Sequence, residues 1–71
     1  MTIQMKIADY IKNMGIRQSV LCEKTGIERA AMNGILNGKR KLSVDEFEKL
    51  CIAIEKNPNS FMGYESNEAI Q

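Results

Sequence analysis

Histidine is absent from this chain, and cysteine occurs only twice, as Cys22 and Cys51. The four Cys/His ligands of an ordinary zinc site therefore cannot be assembled within one chain. The same scarcity counts against catalysis: there is no glycine-rich phosphate loop and no nucleophile-plus-base pattern, and the paired carboxylates lie on faces read as solvated. No catalytic residue, metal, cofactor or small-molecule substrate is expected. Long apolar runs are missing as well, since none approaches the roughly 18 residues that a membrane span needs. No charged start, apolar stretch and small-residue cleavage site open the sequence, so the expectation is a cytoplasmic protein with no membrane partner. Both cysteines fall on apolar faces of predicted helices, and without an export signal they are expected as small reduced core residues rather than a disulfide. Length is the last scarcity. Seventy-one residues make one domain at most, and the apolar burial of so small a chain nearly cancels an ordering cost of ~1.5 kcal/mol per residue. A further sensor or catalytic domain does not fit.

What is present is ordinary in amount and uneven in placement. A hydrophobic fraction of 44% and a charged fraction of 27% suit a globular domain. The net charge of +1 says nothing about partners by itself. From Arg17 to Lys41, however, six basic residues (Arg17, Lys24, Arg29, Lys39, Arg40, Lys41) face two acidic ones (Glu23, Glu28), a local +4. From Leu42 onward, two basic residues face six acidic ones, a local −4. The chain is a dipole in sequence.

Helical periodicity accounts for most of the length. Ile3, Ile7, Tyr10, Ile11 and Met14 predict an amphipathic helix over residues 3–14, with Lys6, Asp9, Lys12 and Asn13 outward and Gly15 as a left-handed cap. A second helix is expected from Arg17 or Gln18 to Lys24 or Thr25, burying Val20 or Leu21 with Cys22. Its start lacks a Ser/Thr/Asp/Asn cap, an omission that typically costs ~1 kcal/mol. Gly26 supplies a positive-φ turn position and Ile27 an apolar plug. A third helix runs from Glu28 to Leu36 or Asn37, with Met32 and Ile35 inward and Arg29, Ala30, Asn33, Gly34 and Asn37 outward. Gly34 inside a helix costs ~1 kcal/mol relative to Ala, so either another backbone or a groove wall approaches it or it is merely tolerated. Asn37-Gly38 closes the helix and Lys39-Arg40-Lys41 forms a basic loop. Ser43 and Glu46 match a capping box ahead of a fourth helix with Val44, Phe47, Leu50, Cys51 and Ile54 as its inward stripe. Asn57-Pro58 predicts a short fifth helix over residues 58–62, anchored by Phe61. Residues 1–62 are thus expected to form the domain, and residues 63–71, polar apart from Tyr64 and Ile70, a frayed tail.

The stretch Arg17 to Gly38, two short helices about a tight turn, has the geometry of a helix-turn-helix. The string Gln18…Leu21-Cys22…Gly26-Ile27…Met32…Ile35…Gly38, followed by Ser43…Phe47…Leu50-Cys51…Ile54, resembles the phage repressor and Cro family, lambda-repressor-like or Xre-type, over roughly residues 3–62. The resemblance implies an all-α, compact five-helix domain whose helices 2 and 3 make the helix-turn-helix. It implies double-stranded DNA as the partner and a homodimeric regulator, most simply a repressor. By position, Arg29, Ala30, Asn33 and Gly34 fall at or beside the sites of base-reading side chains. Arg17, Gln18, Asn37, Lys39, Arg40 and Lys41 fall on the expected phosphate side.

Elementary chemistry is compatible with those assignments. An arginine at 29 can offer two donors to guanine O6 and N7, an asparagine at 33 can pair with adenine N6 and N7, and an alanine at 30 can pack on a thymine methyl. Loop cations attract phosphates without regard to sequence. Three departures from the family stand out. Glu28 replaces the usual Ser or Thr cap of the third helix, Ala30, Ala31 and Gly34 leave a bare reading surface, and Ile11 with Leu36 occupy positions where many relatives carry an Arg and a Glu. An apolar contact in place of a charge pair is expected there. The rival reading is a protein-interaction module of the same fold, such as an anti-repressor, or an antitoxin with the tail after Gly63 as its partner-binding arm.

Overall fold

The computed structural model describes residues 2–62. Four α-helices follow one another as α1 (Ile3–Met14), α2 (Gln18–Thr25), α3 (Arg29–Leu36) and α4 (Val44–Ala53), and one 3-10 turn, Pro58–Phe61, comes last. The expected tail, 63–71, lies outside the described residues.

Local chemistry sets the ends of each element. The Thr2 hydroxyl accepts the Met5 N–H at 3.1 Å and starts α1. Gly15, at φ 69°, ends it, with the Ile16 N–H returning to the Ile11 carbonyl at 3.1 Å. The Ser43/Glu46 capping box of α4 is closed in both directions, at 3.1 and 3.0 Å. At its other end α4 finishes in the same way as α1, but Glu55 takes the left-handed position at φ 58°. The Lys56 N–H then bonds the Cys51 carbonyl at 3.0 Å.

The expected fifth helix is corrected to a single 3-10 turn. Asn57 accepts the Asn59 N–H at 2.9 Å, and the Ser60 N–H returns to the Asn57 carbonyl at 2.9 Å. An asparagine whose side chain bonds neighbouring backbone, followed by the i→i+3 bond from Ser60, favours a tight turn over a continuing helix. The turn still does what was expected of Phe61. Its buried ring meets Tyr10 of α1 edge-on at 5.8 Å and Phe47 of α4 at 6.3 Å, closing the core between those helices.

The core is Ile7, Ile11, Leu21, Ile27, Met32, Ile35, Leu50, Cys51 and Phe61. α2 packs on α3 and α4, and α1 packs on α3. Of the two residues weighed in α2, Leu21 is buried and Val20 is exposed. Three expected inward residues are corrected: Ile3, Met14 and above all Val44, which is 82% exposed. Each is the first or last residue of its helix, where an apolar stripe runs past the core it was meant to cover. Both cysteines are free. Cys51 is buried, and burial pushes its thiol above the ordinary thiol range, while Cys22 is half-buried. Ile11 is buried and Leu36 half-buried against the same core, and both line one cavity.

Candidate nucleic-acid interface

The turn between α2 and α3 is held by a residue that composition does not single out. Thr25, the last residue of α2, is buried, and its hydroxyl donates to the Leu21 carbonyl at 2.7 Å while accepting the Ile27 N–H at 3.1 Å. One side chain thus satisfies the end of one helix and the approach to the next. Gly26, at φ 78°, makes the reversal, and Ile27 is buried as the plug that orients α3.

Met32 and Ile35 anchor α3 inward, which leaves Arg29, Ala30 and Asn33 exposed on its other side. Neither α2 nor α3 has a side-chain cap: Arg17 and Glu28 occupy the N-cap positions and bond no helix amide. Arg17 is exposed and Gln18 half-buried. The Asn37 side-chain amide donates to the Asn33 side-chain Oδ1 at 2.7 Å, so the two expected DNA contacts are joined along one side of α3.

Gly34 differs from its expected placement. It is half-buried rather than outward, and a Cβ built on it would meet the Arg40 Cβ at 3.1 Å. The Lys39 and Arg40 N–H groups both donate to the Gly34 carbonyl, at 2.8 and 3.1 Å. The glycine therefore admits the basic loop, which folds back over it. Of the two explanations weighed for a mid-helix glycine, close backbone approach applies.

That loop is braced from α1 and α4 as well. Gln4 of α1 donates to the Ile35 carbonyl at 2.8 Å and to the Arg40 carbonyl at 2.7 Å, and accepts the Leu42 N–H at 3.2 Å. From α4, Glu46 pairs with the Arg40 guanidinium at 2.8 Å through one oxygen and with the Ser43 N–H through the other. The Arg40 guanidinium, and then the Ser43 N–H, hold the Glu46 carboxyl below the usual carboxylate range. Lys39 and Lys41 are exposed, and the only ion pair among the described residues is that of Arg40. Gln4 was invisible as a positioning residue, because a glutamine on a polar helix face carries no sign of a contact 31 to 38 residues away.

Two short helices about a tight turn, the second with a bare outer side beside a braced basic loop, define a helix-turn-helix. The chain belongs to the Cro/C1-type helix-turn-helix DNA-binding domain family, whose model matches residues 6–67. DNA as a partner comes with that membership. No curated protein and no solved structure matches the chain. Among the described residues no helix is long and apolar enough to cross a membrane.

Proposed function

We propose that the protein is a sequence-specific transcriptional regulator that acts in the cytoplasm as a repressor. Two copies bind one operator, each placing α3 in the major groove of a half-site, the two about 34 Å apart. The observation that carries this reading is the exposed side of α3, with Arg29, Ala30 and Asn33, beside a basic loop braced from three helices. Arg29 reads guanine through paired donors and Ala30 packs against a thymine methyl. Asn33 reads adenine with its amide, because its oxygen keeps a second lone pair after accepting from Asn37. Lys39 and Lys41 take phosphates, together with Arg17, Gln18 and Asn37. Arg40 shapes the loop through Glu46 before it contributes charge, and Gly34 makes room rather than contact.

A bare reading surface shifts part of the discrimination to DNA shape and bridging water. Selection of bound sequences from a random duplex pool tests the proposal. A two-fold motif with half-sites one helical turn apart is expected, and a pool that stays random would leave a charge-driven binder without sequence preference. A complete lack of DNA binding would favour the protein-interaction module instead.

A further inference from the structure

We infer that Lys12, on α1 and outside the helix-turn-helix, is a further binding residue for a backbone phosphate of the DNA. A cavity of about 210 Å³ opens where α1, the start of α2 and the end of α3 meet. Its polar lining is Lys12, Gln18 and Asn37, one residue from each of those three places, and the rest is apolar, including Ile11, Ile16 and Leu36. A second cavity, of about 380 Å³, shares Ala8, Lys12, Leu36 and Asn37 with the first, and Lys12 is again the only cation in its lining. Asp9 lines this wider cavity alone, so no carboxylate enters the one that holds Gln18.

Four features make the smaller cavity a seat for a phosphate. Its donors are an ammonium and two amides, which suits an anion, and the ammonium charge opposes a cation. Lys12 and Asn37 are exposed and Gln18 half-buried, so the donors are reachable from solvent. Lys12 has no ion-pair partner among the described residues. An apolar wall beside a single positive charge also focuses its field. Gln18 and Asn37 are already proposed as phosphate contacts, and Lys12 supplies the charge that those two amides lack.

This inference rests on the DNA-binding reading, and its test separates the two. The probe is a fluorescently labelled random-sequence duplex, titrated by anisotropy between about 50 and 200 mM KCl, with thermal melts confirming that every variant is folded. Each phosphate contact contributes roughly 0.9 to the slope of log K against log salt concentration. Lys12→Ala should flatten that slope by about 0.9, so that its loss of affinity across this salt range is about 3.5-fold smaller than that of the unaltered protein. Lys12→Arg should restore the slope. Lys49→Ala, on α4 and outside both cavities, controls for the mere loss of one positive charge and should leave the slope unchanged. A Lys12→Ala slope equal to that of the unaltered protein, or no lower than that of Lys49→Ala, overturns the inference and leaves the DNA-binding reading standing. An unaltered protein with no salt-dependent binding overturns both.

Discussion

Glu55 is the residue whose backbone least suits its side chain. At φ 58° it occupies the position that Gly15 and Gly38 fill at the ends of α1 and α3, and a non-glycine residue there carries a penalty of roughly 1–2 kcal/mol. Part of that is returned on substitution because glycine loses more freedom on folding. Glu55→Gly should therefore stabilise the domain by about 0.5–1 kcal/mol and raise Tm by about 2–8 °C. A thermal melt with an unchanged or lower Tm would show that Glu55 makes a compensating interaction. Gly34 makes the opposite case. Helix propensity alone favours alanine by ~1 kcal/mol, but the new Cβ would press on the Arg40 Cβ at 3.1 Å. The loop cannot easily retreat, because Gly34 and Gln4 pin its backbone. Gly34→Ala should show none of that gain in urea denaturation, and a midpoint shift worth the full ~1 kcal/mol would contradict the packing described.

At the scale of elements, the loop between α3 and α4 depends on its neighbours rather than on its own sequence. Gln4→Met keeps the length of the side chain and removes all three of its hydrogen bonds. Each is worth about 0.5–1.5 kcal/mol net, so a loss of about 1.5–4.5 kcal/mol is expected, with faster amide exchange at Leu42. Exchange at Leu42 no faster than in the unaltered protein would mean that the loop holds itself.

The Arg40–Glu46 pair contributes more modestly, because it is partly exposed and screened by salt. Its pH dependence has a definite sign. The folded-state pKa of Glu46 lies below its ordinary 4.5, so the stabilisation is complete above that value and disappears as pH falls through the folded pKa. Glutamine at position 46 retains the capping box, so the stability difference between the unaltered protein and Glu46→Gln isolates the Glu46 charge, which meets the Arg40 guanidinium first and the Ser43 N–H second. That difference should be constant from about pH 6 to 8 and shrink below pH 4.5. A gap unchanged down to about pH 3 would mean that the pair contributes nothing.

The span of α1, the Ser43/Glu46 box and the glycine turn at Gly26 follow from spacing and capping chemistry within a few residues, and such signals are legible in a linear string. Gly34 reads in the sequence only as an anomaly, since its reason lies in the return of Arg40 over it. Gln4 escapes sequence reading because its role depends on segments 31 to 38 residues away, and Val44 because its apolar stripe runs past the end of the core. The 3-10 turn at Pro58–Phe61 carries a true helix-start signal that stops after one turn. Asn57-Pro58 begins a helical turn, but Asn59 and Ser60 do not sustain one.

At the scale of the whole molecule, the division of charge along the chain becomes a division of labour among the helices. α1 and α4 hold the basic loop with Gln4 and Glu46, α2 and its turn orient α3, and α3 turns Arg29, Ala30 and Asn33 outward. The family model spans residues 6–67, while the exposed side of α3 is sparse, with Arg29 as its strongest base-reading candidate. The central claim is that this assembly binds the phosphate backbone through charges left free by the fold. Equilibrium binding to a random-sequence duplex across a salt series, comparing the unaltered protein with a Lys39→Ala/Lys41→Ala double variant that keeps the Arg40–Glu46 pair, tests it most directly. Binding that weakens steeply with salt, with the slope of log K against log salt concentration flatter by about 1.8 in the double variant, is the expected result. No binding at the lowest salt, or the same slope in both proteins, would contradict the account.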